Sequence, residues 1–311
     1  MDDVVLIDWG TSSLRAVTVG KNDKIKARFS SDAGITNVPD RNFAKQLAQT
    51  LDRLGVKDKA TPILMSGMIG SSIGWYEVPY LTGKQGIEAF AGHLHNLAHD
   101  GLDICIVPGI AAPSMGLPHY VDVMRGEETQ FFGSLMLSPE TKHNNNKSKL
   151  LCIPGTHAKW IAEAHGGIEN FATFMTGEMF SLLSRHSVVS DVLGSGGDAI
   201  YGTEAFLEGL EMALDPLGPL HHAFLLRAGA VAGSLVPEHN RERLSGICIG
   251  AELAAMRPYI DDSGFPVKLV ASSVMKHAYE SAFGHLSIPY LSLDAEATTI
   301  AGQLAIHRQR S

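Results

Sequence analysis

A short polar turn near the start of the chain carries residues that could bind a phosphate group. The segment Asp8-Trp9-Gly10-Thr11-Ser12-Ser13 joins two apolar runs at residues 4–7 and 14–19. A glycine beside hydroxyl residues can direct several backbone and side-chain donors at one anion. Asp8 adds a carboxylate suited to hold Mg²⁺ or its waters. The segment has neither a Walker lysine nor GxGxxG, so it predicts a phosphate-binding hairpin of another kind; an ordinary hairpin turn is the alternative.

A second group of residues that could take part in catalysis or binding is Arg125-Gly126-Glu127-Glu128. A strand-like run precedes it, and residues 130–137 have the pattern of a buried helix. Carboxylates at a helix N-terminus are stabilised by the helix dipole, so simple capping is one interpretation. The other is a general base, Glu127 or Glu128, beside an arginine that clamps a substrate carboxylate.

The opening pattern recurs about halfway along the chain. An apolar run at residues 150–153 leads into Gly155-Thr156, small and polar residues, the basic Lys159 and a further strand. When the two segments are superposed, Gly10-Thr11 coincides with Gly155-Thr156. Two such hairpins, each opening about half of the chain, predict duplicated domains that face one nucleotide across a cleft.

A glycine-rich loop follows the strand predicted at residues 63–65. It runs from Ser66-Gly67-Met68 to Trp75 and contains three glycines. Such a loop lets a ligand approach the backbone closely, and Trp75 could supply a flat apolar wall for a sugar; a flexible surface loop is the alternative. The helix predicted over residues 86–99 carries His95 and His99, but no cysteine or carboxylate stands at metal-ligand spacing beside them.

Composition and charge limit the class of protein. Hydrophobic residues make up 45% of the 311 residues, and no run approaches the ~20 apolar residues of a membrane helix. Cys105, Cys152 and Cys248 lie in apolar surroundings, which predicts reduced thiols rather than disulfides or a zinc site. The net charge of −8 argues against nucleic-acid binding, which needs a basic face. Asp2 and Asp3 stand where a signal peptide would carry positive charge, so we expect a cytoplasmic protein.

The elements between these motifs predict two α/β domains. Residues 138–149 are polar and aperiodic, which is typical of a linker. We therefore expect one domain at residues 1–138 and a second at residues 149–311, each with a mixed five-stranded sheet. The helix predicted over residues 295–310 is expected to pack back on the first domain. Other helices predicted from the sequence are residues 41–54 in the first domain and residues 199–214 and 222–235 in the second.

Six motifs together resemble one family of sugar kinases. They are DWGTSSLRA, MSGMIGSSIGW, VMRGEETQ, PGTHAKW, FATFMTGE and SGICIGAE, and they span residues 8–252. With them the chain resembles the 2-dehydro-3-deoxygalactonokinases of the actin/hexokinase/chaperone-ATPase superfamily. The resemblance implies two ribonuclease-H-like (actin-like ATPase) domains, with ATP and Mg²⁺ in the cleft between them. It also implies phosphorylation of the 6-hydroxyl of 2-dehydro-3-deoxy-D-galactonate, in galactonate and galactose catabolism.

The resemblance assigns catalytic roles to a few matched residues. Asp8 would hold Mg²⁺, and Glu127 would act as the base, with Glu128 as the alternative. Three basic residues would meet the substrate carboxylate or the transferring phosphoryl group: Arg15, Arg125 and Lys159.

The same resemblance predicts the binding contacts. The expected ATP contacts, besides Arg15 and Lys159, are Gly10, Thr11, Ser12, Gly155, Thr156, His157, Ser272 and Ser273. The expected sugar-acid contacts are Ser66, Gly67, Met68, Trp75 and Arg125.

Two other functions fit the same scaffold. One is a kinase for a different sugar or sugar acid. The other is a non-catalytic nucleotide-binding module of the actin or chaperone type, which would lack a substrate base and a sugar-shaped pocket. The segment Arg125-Gly126-Glu127-Glu128 favours an enzyme. The expected partners are ATP and a small sugar acid, without nucleic acid or membrane, and a homodimer stays open.

Overall fold

The structure is a computed structural model that describes residues 3–138, 148–194, 199 and 201–310. The chain divides into two compact units. Unit 1 comprises Met1–Asn144, Glu163–Phe171 and Ala295–Ser311, and unit 2 comprises Asn145–Ala162 and Ala172–Asp294. The predicted linker falls mostly on residues 139–147, which lie outside the described residues, and the predicted domain boundaries stay a prediction.

The strands of the described residues are named in chain order. They are β1 (Val4–Trp9), β2 (Leu14–Val19), β3 (Ile25–Ser31), β4 (Ile63–Ser66), β5 (Leu81–Thr82), β6 (His95–His99), β7 (Leu102–Ile106), β8 (Ile110–Ser114), β9 (Leu117–Met124), β10 (Lys149–Ile153), β11 (Ala158–Ala164), β12 (Gly167–Phe174), β13 (Val267–Ala271) and β14 (Tyr290–Asp294).

The helices are named in the same way. They are α1 (Phe43–Leu54), α2 (Ile87–Gly92), α3 (Glu127–Leu137), α4 (Thr176–His186), α5 (Glu204–Met212), α6 (Pro219–Val231), α7 (Asn240–Ser263), α8 (Ser273–His285) and α9 (Ala295–Arg308). Within the described part of the chain, none of them is both long enough and apolar enough to cross a membrane.

Unit 1 contains a six-stranded mixed sheet in the order β3-β2-β1-β4-β7-β6. Strand β2 is antiparallel to β1 and β3, whereas β1, β4 and β7 are parallel to one another. The first five strands therefore have the mixed order expected of a ribonuclease-H-like domain. Val5 and Ile7 of β1 are fully buried in a cluster with Leu47 of α1. Burial of such side chains is the main force that holds the helix against the sheet. The predicted α/β fold is confirmed.

Strand β6 makes this sheet one strand larger than predicted. The helix predicted over residues 86–99 ends at Gly92, and the chain then runs as β6, antiparallel to β7. Asp100 and Gly101 both have positive φ, 47° and 70°. That is the two-residue hairpin turn for which an Asp-Gly pair is strongly preferred, and it outweighs the helical spacing of the preceding residues.

Strands β10, β13 and β14 and the first part of β11 lie in unit 2, whereas residues 163–171, which include most of β12, belong to unit 1. Read from β12, the neighbours run β12-β11-β10-β13-β14, the same order as the first five strands of the other sheet. They belong to a sheet of eight strands among the described residues, so the prediction of five strands is wrong here as well. Strand β13 is parallel to both β10 and β14. The long helix α7 packs closely on α5, because a Cβ at Gly246 would lie 2.2 Å from the carbonyl oxygen of Phe206. Only glycine permits that approach.

Helix α9 packs against α3 inside unit 1. A Cβ at Gly302 would lie 1.7 Å from the carbonyl oxygen of Thr129, so the two helix backbones are in direct contact. Gln303 of α9 donates hydrogen bonds to the carbonyl of Ile7 at 2.9 Å and to the hydroxyl of Ser66 at 2.8 Å. Helix α9 thereby ties the first turn of α3 to the ends of β1 and β4, where the candidate catalytic residues lie.

Candidate active site

The first candidate phosphate site is the turn between β1 and β2, which we call hairpin 1 (residues 8–15). Asp8 and Arg15 lie opposite each other in the antiparallel ladder. The backbone N–H of Gly10 donates to the carbonyl of Ser13 at 2.9 Å and closes the turn. Since the side chains of Thr11 and Ser12 are exposed, their hydroxyls are free to meet a ligand from solvent.

A neighbouring loop supports the other side of this turn. A Cβ at Gly34 would lie 2.3 Å from the carbonyl oxygen of Thr11, so the two backbones touch. Thr36 donates its N–H to the carbonyl of Thr11 at 3.1 Å, and the amide of Asn37 donates to the carbonyl of Ser12 at 3.3 Å. These contacts occupy the carbonyl groups of the turn and leave its outer surface uncovered.

Gly10 itself is not needed for the backbone conformation. Its φ is not positive, and a Cβ there would meet only the carbonyl oxygen of Ser13, at an ordinary 3.5 Å. The turn therefore does not depend on a left-handed backbone conformation at this glycine. Its effect is to leave the backbone of the turn open to close approach.

Asp8 sits at the base of hairpin 1 with its side chain 28% exposed. One carboxylate oxygen lies 3.7 Å from Arg15 Nη1. Burial raises the pKa of Asp8 to about 6; Arg15 opposes this rise and the charge of Glu127 adds to it. Asp8 is thus ionised at neutral pH, and its coupling to Glu127 shows that the two carboxylates lie near each other.

Two glycines bring the three predicted segments together. Gly67 has a φ of +88°, and a Cβ there would lie 3.3 Å from Asp8 Oδ1. Gly126 has a φ of +118°, and its Cβ would lie 3.4 Å from the Cα of Gly67. Both backbones are in the region that favours glycine. The start of α3, the loop after β4 and hairpin 1 consequently meet at one point of unit 1.

The two carboxylates at the start of α3 lie in different environments. Glu127 is half-buried, and its Oε2 accepts the N–H of Arg125 at 3.2 Å. Glu128 is fully buried, and its Oε2 accepts the N–H of Gly126 at 2.6 Å. Burial, with the charge of Glu127 as the second cause, raises the pKa of Glu128 to about 8. Both residues cap the helix, yet only Glu127 is accessible and so could exchange a proton with a substrate.

Arg125 is a buried cation with free hydrogen-bonding capacity. Its side chain is 7% exposed, and Nη2 donates to the carbonyl of Val78 at 2.7 Å. The ring of Tyr80 lies 4.3 Å from the guanidinium carbon, and a Cβ at Gly70 would lie 3.0 Å from Nη1. Among the described residues, Nε and Nη1 have no hydrogen-bond partner. Leaving such groups unpaired is costly, so the arrangement favours an anion as a partner.

Tyr80 is a candidate that is not among the residues predicted from the sequence. Its ring is 40% exposed and covers the guanidinium, as a cation–π contact. The signal was the Pro79-Tyr80 pair that follows the loop ending at Trp75, but one aromatic residue in a loop has no periodicity to mark it.

The other predicted sugar-acid contacts differ in their surroundings. Ser66 is fully buried and pairs with Asp8 in the parallel register of β1 and β4. Met68 and Trp75 pack against the core cluster of unit 1, and Trp75 meets the edge of His99 at 5.1 Å. The structure thus brings Ser66 next to Asp8, whereas the described contacts of Trp75 are with the core cluster and with His99.

The second candidate phosphate site is the turn between β10 and β11, hairpin 2 (residues 153–159). The side chains of Thr156 and His157 are exposed. The start of α4 supports the turn: Glu178 donates its N–H to the carbonyl of Thr156 at 3.0 Å, and its carboxylate lies 2.6 Å from His157 Nε2. A Cβ at Gly177 would lie 2.6 Å from the carbonyl oxygen of Gly155.

Gly155, like Gly10, is open on its outer side. A Cβ there would meet no atom closer than 3.9 Å, and its φ is not positive. Lys159 is 5% exposed on β11. Ser272 is exposed and immediately precedes α8, which begins at Ser273. The structure describes these residues in unit 2, separately from the carboxylates of unit 1.

The donor set suits magnesium only with help from other ligands. Among the described residues, no group of three or more His, Cys, Asp or Glu side chains could hold a metal ion. Mg²⁺, however, is commonly bound through one or two carboxylates, several waters and substrate phosphates. The accessible, ionised Asp8 beside hairpin 1 fits that mode.

Comparisons with known proteins agree on one family. The 2-keto-3-deoxy-galactonokinase family model matches residues 8–306. The 2-dehydro-3-deoxygalactonokinase of Escherichia coli (strain K12) is 34% identical over 301 residues, which cover 97% of this chain and 94% of the relative. A protein of Rhizobium meliloti (strain 1021), assigned the same activity provisionally, is 32% identical over 305 residues, covering 97% of this chain and 95% of the relative.

A solved structure gives the same result. A crystal structure from Sinorhizobium meliloti, provisionally assigned as a 2-dehydro-3-deoxygalactonokinase, superposes with a TM-score of 0.86 at 31% identity. The superposition covers 98% of this chain and 96% of that chain. The resemblance expected from the six motifs is confirmed: the chain belongs to the 2-keto-3-deoxy-galactonokinase family of carbohydrate kinases.

Proposed function

We propose that this protein transfers the γ-phosphoryl group of ATP to the 6-hydroxyl of 2-dehydro-3-deoxy-D-galactonate, a step of galactonate breakdown. The relatives named above are called 2-dehydro-3-deoxygalactonokinases, one of them provisionally. The observation that carries the proposal is Arg125, a buried cation with two unpaired nitrogens, two residues before Glu127. An anionic sugar acid needs such a cation to compensate for lost water, whereas a neutral sugar does not.

Glu127 is the proposed general base. It is half-buried, stands at the start of α3 and lies close enough to Asp8 for their charges to interact. A carboxylate in this position can accept the proton of the attacking hydroxyl. Glu128 is the weaker candidate, because burial raises its pKa to about 8 and thereby favours its protonated form.

Arg125 is the proposed anchor for the substrate carboxylate. Its Nη2 donates to Val78, its Nε and Nη1 have no hydrogen-bond partner among the described residues, and the ring of Tyr80 lies 4.3 Å from the guanidinium carbon. A carboxylate that paired with both nitrogens would form a bidentate ion pair, which is among the strongest hydrogen-bonded arrangements. We infer that the exposed Tyr80 ring moves aside when the sugar acid enters. Ser66, Gly67, Met68 and Trp75 remain proposed contacts of the same substrate.

The two hairpins are the proposed phosphate contacts of one ATP. Gly10, Thr11 and Ser12 in hairpin 1, and Gly155, Thr156 and His157 in hairpin 2, offer exposed donors and uncovered backbone. Asp8 would hold Mg²⁺ through water, and the ion would neutralise charge on the transferring phosphoryl group. Arg15 and Lys159 are further proposed phosphate contacts, and Ser272 and Ser273 are proposed for the adenosine.

Three coarser assignments complete the proposal. We infer domains at residues 1–138 and 149–311, with the helix at residues 295–310 belonging to the first. That helix packs on α3 in unit 1, which supports the division. A cytoplasmic location, where ATP is available, and a possible homodimer are proposed with it.

The test is a coupled assay of ADP release with the purified full chain, Mg²⁺ and a panel of acceptors. We expect turnover with 2-dehydro-3-deoxygalactonate and little with galactose or glycerol. Preferred turnover of a neutral sugar would refute the substrate assignment. ATP binding without ADP release from any acceptor would instead favour the non-catalytic module.

A further inference from the structure

Glu252 is a buried carboxylate in unit 2 to which the proposed function assigns no role. It lies on α7 and is 2% exposed. Its Oε1 accepts the indole N–H of Trp160 at 2.7 Å, and its Oε2 accepts the hydroxyl of Tyr279 at 2.9 Å. The hydroxyl of Thr176 donates to the same Oε2. All three donors are neutral side chains.

The three donors belong to β11 and α8, which carry proposed ATP contacts, and to α4, which supports hairpin 2. Trp160 follows Lys159 on β11, directly after hairpin 2. Thr176 is the first residue of α4, and the next two residues, Gly177 and Glu178, touch the turn of hairpin 2. Tyr279 lies on α8, the helix that begins at Ser273. One carboxylate therefore joins the strand after hairpin 2, the helix that supports hairpin 2 and the middle of α8.

Side-chain packing around the first turns of α4 is incomplete on one side. A largely apolar cavity of about 300 Å³ lies beside Thr176 and Glu252, and Met179 and Leu183 of α4 line it. Interior side chains normally fill such space and fix the position of a helix. With packing incomplete on this side, the bond from Thr176 to Glu252 has a larger share in positioning the start of α4.

The chemistry of the bond supports a positioning role. Burial of a carboxylate is expensive, and an apolar residue of similar size would often stabilise a fold equally well. Burial raises the pKa of the Glu252 carboxyl, and the hydrogen bonds from Thr176, Trp160 and Tyr279 oppose that rise. Three directed hydrogen bonds to one side chain also fix the geometry of the groups that donate them. A fully satisfied buried polar network of this kind makes one arrangement of its members rigid.

We propose that Glu252 is a positioning residue that holds the start of α4 against hairpin 2, in the geometry that binds the phosphates of ATP. This inference rests on the proposed function, because it takes hairpin 2 to be a phosphate site. Glu252 acts through Thr176, Gly177 and Glu178 and does not touch the nucleotide itself.

The main test is Glu252→Gln in the full chain. Glutamine keeps the shape but can accept with only one oxygen, so its amide group must face one of the three donors. We expect the ATP dissociation constant to rise about 10-fold, by analogy with the loss of supporting residues around other sites. The KM for the sugar acid should stay within about twofold, since its proposed contacts are in unit 1. Glu242→Gln is the matched control.

Glu242 is a suitable control because it is a second buried glutamate on α7. It is 9% exposed, and its Oε2 has no hydrogen-bond partner among the described residues. Glu242→Gln should leave the ATP dissociation constant within about twofold of the wild-type value. Equal weakening in both variants would overturn the proposal, as would unchanged ATP affinity in a folded Glu252→Gln protein.

A second pair of variants keeps the test decisive if Glu252→Gln does not fold. Thr176→Val removes the hydroxyl, whereas Thr176→Ser keeps it. We expect Thr176→Val to weaken ATP binding and Thr176→Ser to keep an ATP affinity close to that of the wild-type protein. Equal affinities in the two variants would contradict the proposal.

Calorimetric titration with ATP and Mg²⁺ separates this inference from the proposed substrate. It needs no turnover, so ATP affinity is measured even if 2-dehydro-3-deoxygalactonate is not phosphorylated. Lack of turnover in the wild-type protein would count against the proposed function alone. Absence of ATP binding in the wild-type protein would count against both.

Discussion

Hairpin 1 and hairpin 2 share one residue pattern but carry different chemistry. When Gly10 is superposed on Gly155, the position of Asp8 is taken by Ile153, a buried apolar residue. Hairpin 1 therefore has a carboxylate at its base, near Glu127, and hairpin 2 has none at that point. In the proposed function the duplicated pattern serves phosphate contact in both halves, and only the first half adds the groups proposed for proton transfer and metal binding.

The supports of the two turns differ as well. Gly34 in a loop backs hairpin 1, whereas Gly177 at the start of α4 backs hairpin 2. In each case a glycine from elsewhere in the chain touches the turn backbone, while the glycine inside the turn is unstrained. We therefore expect the supporting glycines to matter for folding and the turn glycines for ligand access. We also expect substitutions in the two halves to separate chemistry from nucleotide affinity.

The largest expected effect is on the chemistry of the first half. Glu127→Gln removes the proposed base, so kcat should fall by ~10²–10⁴-fold, as is usual for loss of a general base. The ATP dissociation constant should stay within about twofold, because hairpin 2 is intact. Glu128→Gln is the control, since Glu128 already holds a proton at neutral pH. If steady-state kinetics showed that Glu128→Gln lost activity and Glu127→Gln did not, the base would be Glu128 rather than Glu127.

The next effect is on recognition of the sugar acid. Arg125→Ala removes the proposed carboxylate partner, and its sugar-acid KM should rise about 10–100-fold, the range for hydrogen bonds to charged groups. Arg41→Ala is a matched control, because Arg41 also lies over an aromatic ring, that of Phe43, and donates to a carbonyl, that of Gly74. Similar KM changes in both variants would remove Arg125 from the substrate site.

A smaller effect is expected at the turn of hairpin 2. Gly155→Ala places a methyl group in open space, so the protein should fold normally while ATP affinity falls about 10-fold, roughly the loss of one charge-assisted hydrogen bond. Gly177→Ala puts a methyl group 2.6 Å from a backbone oxygen and should lower the stability by about 1–3 kcal/mol. Thermal melting and ATP titration of both variants would show whether Gly177 determines stability while Gly155 determines ATP affinity. A destabilised Gly155→Ala protein would contradict this separation.

The smallest effect concerns pH and stability. The pKa of Glu128 is raised from 4.5 to about 8, so the folded protein binds this proton more tightly than the unfolded chain. Its contribution to stability is greatest below about pH 4.5 and decreases as the pH rises towards 8. A glutamine at this position does not titrate, so Glu128→Gln lacks this pH-dependent loss of stability. Its free energy of unfolding relative to wild type should rise between these pH values, by at most ~1.4 kcal/mol per unit. A flat difference in denaturant titrations would contradict the burial of an ionisable Glu128.

The sequence predicted the parts of the site that are local in the chain. Hairpin 1, hairpin 2 and the carboxylates at the start of α3 are short motifs whose turn and capping chemistry is contained in adjacent residues. Gly34, Tyr80 and Glu252 were not predicted as functional, because their partners are distant in sequence. Glu252 and Trp160, for example, are 92 residues apart.

Strand β6 shows a different limit. The spacing of His95 and His99 fits one face of a helix, but residues four apart also share one face of a strand. The Asp100-Gly101 turn decides between them. His95 then stacks on Tyr76 at 3.8 Å, an aromatic contact that a metal-ligand interpretation of these histidines does not include.

The most direct test of the division between the two halves is a paired measurement on Glu127→Gln and Gly155→Ala. For each variant, the ATP dissociation constant is measured by calorimetric titration. The kcat is measured separately, at saturating concentrations of ATP and sugar acid. We expect near-normal ATP affinity with a kcat reduced at least ~10²-fold in Glu127→Gln. In Gly155→Ala we expect about 10-fold weaker ATP binding with a kcat within a few-fold of wild type. Weakened ATP binding in Glu127→Gln, together with a normal kcat, would contradict this division.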